Sequence, residues 1–119
     1  MTKRLVTLSL GAALLATAGA AAAACEYPDR ADLPNGATAT EEEMIAGQRS
    51  IKKFMADMDA YLACIEKETE GADVEGEDPE IAAQRQAIAV KRHNAAVDEL
   101  EQVAAAFNEQ VRAFKARED

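Results

Sequence analysis

The sequence predicts an all-α protein in which two helices form an antiparallel hairpin and a disulfide ties an extended N-terminal segment to helix 1. Apolar residues recur at intervals of three and four along two long stretches, and residues that favour helix N-termini precede each stretch. A short acidic stretch with glycine separates the two, which is typical of a loop. We place a signal peptide at 1–24, the extended segment at 25–39 and the hairpin at 40–119, with helices over about 40–69 and 79–117.

Residues 1–24 have the features of an export signal. Lys3 and Arg4 precede an uncharged apolar run over 5–15, and small residues at 20–24 suit signal peptidase. We therefore expect a periplasmic mature chain without a transmembrane segment. Removing Lys3 and Arg4 from the 13 basic residues leaves 11 against 22 acidic ones, a net charge of −11. A chain this acidic is not expected to bind nucleic acid or anionic lipid.

Cys25 lies at the predicted new N-terminus, where two roles compete. Lipidation there would anchor the chain to a membrane, but a lipobox has an aliphatic residue such as Leu three positions earlier, and this chain has Ala22. Alternatively, Cys25 pairs with Cys64, the other cysteine, in an oxidising compartment. Helix 1 rises roughly 36 Å from Thr40 to Cys64, and the segment back to Cys25 extends to about 50 Å. The bond is thus geometrically possible, and we favour it over lipidation or a free thiol.

Helix 1 begins at a capping box formed by Thr40 and Glu43, in which each residue bonds the backbone N–H of the other. The turn signal Asn35-Gly36 comes just before it. Its apolar stripe consists of Met44, Ile51, Phe54, Met55, Met58, Tyr61, Leu62 and Ile65.

Helix 2 begins with Asp78 as N-cap and Pro79 at the first helical position, where a missing N–H costs nothing. Large apolar residues are sparse in the first part of its stripe, where Arg85 and Arg92 interrupt it. They are most frequent from residue 97 to 114. Basic residues near its end suit the negative pole of the helix dipole; they are Arg112, Lys115 and Arg117.

The two helices differ in length, so their register matters. If Pro79 lies beside Thr69, Phe107 falls near Glu41 and the end of helix 2 projects beyond helix 1. We expect this end to pack against the extended segment around Leu33 and Ala37, or against a second copy of the protein.

Four short motifs suggest a family. They are C-x-x-P at 25–28, G-A-T-A-T at 36–40, Y-L-A-C at 61–64 and A-F-N-E-Q-V at 106–111. Together they resemble a group of small exported proteobacterial proteins with no assigned function. The resemblance implies that the two cysteines and the G-A-T-A-T turn belong to the architecture. It supplies no substrate, cofactor or catalytic residue.

The sequence gives little support for catalysis or for a cofactor. His93 is the sole histidine, and no nucleophile or metalloprotease motif accompanies it, so we do not expect an enzyme. Met55 and Met58, with Met44, offer thioethers that suit Cu(I), but all three lie on the apolar stripe, where Met is ordinary core filler. The acidic loop, with Asp73, Glu75, Glu77, Asp78 and Glu80, does not match the EF-hand spacing. We therefore predict no specific metal site.

We expect a non-enzymatic periplasmic interaction or structural protein, of which a chaperone-like holdase is a special case. Its partner is then a second copy or another envelope protein. The alternative is a metal-buffering or metal-responsive protein that uses the methionines or the acidic loop.

Overall fold

A computed structural model describes residues 25–72 and 75–118 of the chain. Within these ranges the protein consists of two helices, α1 (Glu41–Gly71) and α2 (Pro79–Ala116), and contains no strand. The helices pack against each other, and the predicted all-α hairpin is confirmed. The predicted signal peptide at 1–24 lies outside the described residues, as do loop residues 73 and 74.

Both helices begin at the residues that the sequence indicates. The Thr40 hydroxyl accepts a hydrogen bond from the Glu43 amide at 3.1 Å, and the Glu43 carboxylate accepts one from the Thr40 amide at 2.7 Å. At α2 the carboxylate of Asp78 accepts the Glu80 amide at 2.8 Å, and Pro79 is the first helical residue. These bonds satisfy N–H groups that the first helical turn cannot satisfy internally.

The helices are antiparallel, but their register differs from the predicted one. Arg92 lies against Tyr61, and the ring of Phe107 lies beside Gly47, six residues further along α1 than the predicted neighbour Glu41. Counting back from Arg92 places the first turn of α2 beyond the end of α1. The missing side chain of Gly47 leaves room for the Pro34 ring of the N-terminal segment, because a Cβ at position 47 would stand 2.6 Å from Pro34 Cδ.

The core lies mainly on α1. Its buried members are Ile51, Phe54, Met58, Tyr61 and Ile65 from α1, and Ala96 and Val103 from α2. Partly buried Cys25, Ala31 and Leu33 from the N-terminal segment pack against the same cluster. The segment (residues 25–39) therefore completes the core that a pair of helices leaves exposed.

The end of α2 packs against the N-terminal segment, as the sequence predicts. A turn at 36–38 brings the Gly36 amide to the side-chain oxygen of Gln110 at 2.9 Å. The Arg117 guanidinium, just past α2, donates to the carbonyl of Ala39 at 2.6 Å and to that of Gly36 at 3.1 Å. The segment is thus attached to the hairpin at both of its ends.

Candidate functional site

Two packed helices leave a groove along each side of the pair, and the N-terminal segment fills one of them. Cys25 is bonded to Cys64 of α1, with the Cα atoms 5.7 Å apart, so the predicted disulfide is confirmed. Next to it the Tyr27 ring meets Tyr61 edge-on, with the ring centroids 5.0 Å apart. We refer to this side as the filled groove.

An ion pair holds the middle of the segment to α2. Arg30 lies 3.4 Å from the carboxylate of Glu99. Burial, together with the charge of Glu99, raises the pKa of the nearby Tyr27 hydroxyl.

Arg92 joins the two helices on this side through Tyr61 and Glu68. Its Nε donates to the Tyr61 hydroxyl at 3.2 Å, its Nη1 donates to Glu68 at 2.9 Å, and its guanidinium carbon lies 5.7 Å from the Tyr61 ring centroid. These two hydrogen bonds raise the pKa of Arg92 above its usual range. Sequence reasoning treated Arg92 as an interruption of the apolar stripe. The signal that sequence reasoning missed is an arginine within the apolar stripe of one helix, paired with a tyrosine in the stripe of the other.

The other side of the hairpin holds an open groove. Its floor and walls are apolar: Ile65 is buried, Leu62 and Ala89 are half-buried, and Val90 is 48% exposed. Met55 stands two turns before Leu62 on the same face of α1 and is 46% exposed, which extends the apolar surface along the helix.

The open groove lies on the side away from the N-terminal segment. On α1 the segment contacts the side of Ala60 and Cys64, whereas Leu62 and Glu66 line the open groove. Leu62 follows Ala60 by two residues, and Glu66 follows Cys64 by two residues. Two residues correspond to about 200° around a helix, so the two pairs mark opposite sides of α1. Within the described ranges, no residue of the segment lines the open groove.

The rim of the open groove is acidic. The carboxylates of Asp59, Glu66 and Glu70 line it along α1, and Gln86 and His93 line it along α2. No lysine or arginine is among the described lining residues. In the described part of the chain, none of these three carboxylates forms an ion pair.

A second pair of exposed apolar residues lies on α2 toward its N-terminus. Ile81 precedes Glu99 by five full helical turns, so it shares the face that Glu99 presents to the N-terminal segment. Ile88 is 58% exposed on nearly the same face. Counted from the contact of Arg92 with Tyr61, Ile81 lies beyond the level of Cys64, where the described segment begins at Cys25.

Most of the described methionines occupy core positions and not positions from which they could bind a metal. Met58 has no exposed surface and Met44 is buried, so among the described methionines only Met55 presents its thioether to solvent. A Cu(I) site needs several soft ligands together. In residues 25–72 and 75–118 no group of three or more His, Cys, Asp or Glu side chains is arranged to hold a metal ion.

Two acidic residues at the end of the loop interact with the start of α2. Arg85 donates to both carboxylate oxygens of Glu77, one of them at 2.6 Å, and these bonds lower the pKa of Glu77. Asp78 caps α2. Asp73 lies outside the described residues, and the predicted solvated loop is seen from Glu75 onward.

His93 lies exposed at the rim of the open groove. A general base is normally oriented by a hydrogen-bonded partner. Within the described residues no such partner is found for His93.

Comparisons with protein-family models, with curated proteins and with solved structures give no match to this chain. Neither described helix combines the length and the apolar character that crossing a membrane requires.

Proposed function

We propose that this protein is a non-enzymatic interaction protein of the periplasm, a rigid helical hairpin that presents its open groove to a protein partner. The observation that carries the proposal is the asymmetry of the two grooves. One is filled by the N-terminal segment, and the other leaves apolar side chains of both helices uncovered. A groove of this kind is the usual receptor for an amphipathic helix.

The attachments of the hairpin support this role. The disulfide, the Arg30–Glu99 ion pair and the bonds from Arg117 hold the filled side in one arrangement. A surface that is fixed before binding loses less conformational entropy when a partner docks.

The non-enzymatic part of the proposal rests on residue types. The sequence has one histidine and no nucleophile motif, and the open groove is lined by apolar side chains and carboxylates. The metal-buffering alternative gains no support from the buried positions of Met44 and Met58.

The location rests on the export signal and is compatible with the disulfide. A lipid thioether and the Cys25–Cys64 bond exclude each other, because both use the sulfur of Cys25. Intact mass of the protein recovered from its host, with and without reductant, tests both points. We expect a chain starting near Cys25 that gains two hydrogens on reduction; an acylated Cys25 would contradict the disulfide and place the protein on a membrane.

The interaction role is tested with a photo-crosslinking residue at position 90, in the open groove, and the same residue at position 88 as control. Val90 and Ile88 are similarly exposed but lie about 160° apart around α2. We expect discrete crosslinked products in the host from position 90 alone, with partners identified by mass spectrometry. If neither position crosslinks to any protein, the proposed function is wrong.

A further inference from the structure

The filled groove shows how this hairpin holds an occupant. The N-terminal segment seats Ala31 and Leu33 on the core, and its Arg30 meets the carboxylate of Glu99 on α2. The occupant thus combines an apolar face with a cation placed at an acidic edge. On the same side, Arg92 of α2 forms an ion pair with Glu68 of α1.

The open groove also has an apolar floor, but its described lining carries only one sign of charge at the edge. Asp59, Glu66 and Glu70 line it without a lysine or arginine among the described lining residues. These carboxylates stay hydrated while the groove is empty. A partner that covers the groove removes part of that water, and only a positively charged partner compensates the loss.

The acidic rim argues against a second copy of this chain as the occupant. A symmetric dimer brings the same patch of both subunits together. The interface would then collect the three rim carboxylates of each copy, with no lysine or arginine in the described lining to pair with them. The overall charge, −11 once residues 1–24 are removed, adds repulsion at longer range.

We propose that the open groove binds a cationic amphipathic helix, a segment of another protein whose apolar stripe is flanked by lysine or arginine. The inference rests on the proposed function and names the partner's chemistry. The lining of α1 runs from Asp59 to Glu70, about 17 Å, which matches three turns of a docked helix. Apolar anchors at i, i+3 or i+4 and i+7 would contact Leu62 and Val90 and complete a three-helix arrangement.

Three synthetic peptides of about 14 residues, roughly four helical turns, test this proposal. The first carries leucine on one helical face and lysine on the other. The second replaces each lysine with glutamate, and the third has the composition of the first in an order that destroys the stripe. Binding to the protein recovered from its host is measured by calorimetry at about 0.15 M salt, where long-range attraction is screened. We expect the first peptide to bind at least about tenfold more tightly than the other two.

Val90→Asp locates the binding, with Ile88→Asp as its matched control. Val90→Asp puts a charge into the apolar wall, and we expect Kd for the leucine–lysine peptide to rise about tenfold. Ile88→Asp adds the same charge on the same helix outside the groove, and we expect Kd to stay within about twofold. Both variants make the protein more acidic, so unspecific attraction would tighten binding in both, and that result would overturn the proposal.

Glu66→Lys provides an independent test that leaves the apolar wall intact. We expect it to weaken binding of the leucine–lysine peptide several-fold more than Glu109→Lys, which changes an exposed carboxylate outside the described groove lining. Circular dichroism of every variant checks that the helices are retained. Equal effects of the two charge reversals would show that net charge alone is sensed, and the proposal would then fall.

Sedimentation analysis separates this inference from the proposed function. If the protein dimerises and Val90→Asp abolishes the dimer, the groove is an interaction surface but its occupant is a second copy, and the cationic-helix proposal is wrong. If the protein stays monomeric, no peptide binds and position 90 forms no crosslink, both proposals are wrong. Tight binding of the scrambled peptide overturns the cationic-helix proposal alone.

Discussion

Gly36 lies against the backbone of Gln110, 74 residues away in the chain. Its amide donates to the Gln110 side-chain oxygen at 2.9 Å, and a Cβ at position 36 would stand 1.8 Å from the Gln110 carbonyl oxygen. No side chain fits into that space. The absence of a Cβ therefore allows the turn before α1 to dock on the last turns of α2.

We predict that Gly36→Ala destabilises the protein by about 1–3 kcal/mol, because the added methyl group has to push the turn off a helix backbone that does not yield. The loss of docking also weakens the bonds from Arg117 to the carbonyls of Gly36 and Ala39. Urea unfolding followed by far-UV circular dichroism measures the change in free energy of unfolding.

Gly71→Ala is the control for this substitution. Gly71 is the last residue of α1, and a Cβ there meets no atom within 4 Å. Alanine has the higher helix propensity, so we expect stability to stay the same or to rise by at most about 1 kcal/mol. If both variants lost the same free energy of unfolding, the close contact of position 36 with α2 would not explain the need for glycine there.

The Cys25–Cys64 disulfide is predicted to contribute roughly 3–4 kcal/mol, because it closes a loop of 39 residues in the unfolded chain. Replacing both cysteines with serine removes that constraint and loosens the segment beside Tyr27. The free energy of unfolding from urea titrations checks the size of the loss.

Reductant provides the internal control for the cysteine variant. We expect it to lower the unfolding midpoint of the unmodified protein to that of the double-serine variant, and to leave the variant unchanged. A midpoint of the unmodified protein that does not respond to reductant would mean that the disulfide does not form in solution.

The elements themselves follow from local sequence signals. Thr40 and Glu43 satisfy each other's backbone groups within four residues, and Asp78 and Pro79 act within the first turn of α2. Such signals involve neighbours along the chain, so they can be recognised in the sequence without knowledge of the fold. The cysteine pair was open to prediction for a different reason, because the chain offers only two thiols and the connecting segment is long enough.

The register and the open groove depend on distant residues, and sequence reasoning did not find them. The contacts that define the register, Phe107 with Gly47 and Arg92 with Tyr61, join residues of different helices, and no local signal specifies them. The stripe on α1 is wide enough to face both grooves, and periodicity does not tell which side the N-terminal segment fills. Met55 and Met58 illustrate this, since one is exposed and the other fully buried although both belong to the predicted stripe.

We predict that Met58→Ala costs about 2–5 kcal/mol, because Met58 has no exposed surface and its truncation leaves a cavity in the core between the helices. Met55→Ala is the matched control on the preceding turn. Met55 is 46% exposed, and we expect a change of at most about 1 kcal/mol. Thermal and urea unfolding of the two variants compare these values, and similar losses would contradict the burial described for α1.

The Glu77–Arg85 pair predicts a pH dependence with a definite sign. Hydrogen bonds from Arg85 lower the pKa of Glu77 below its ordinary value of 4.5 in the folded protein. Its contribution to stability is therefore fully present above the unfolded pKa and is lost as the pH falls through the lower, folded pKa. We expect Glu77→Gln to be less stable than the unmodified protein at neutral pH, and the difference to shrink as the pH falls below 4.5.

Urea titrations of both proteins at a series of pH values check this dependence, and other carboxylates cancel in the difference between them. Glu101→Gln, which removes one carboxylate at an exposed position on α2, is measured as the control. A difference for Glu77→Gln that widens on acidification would require a raised pKa in the folded state. That result would mean that Arg85 does not hold the Glu77 carboxylate in solution, and that the start of α2 is not fixed by this pair.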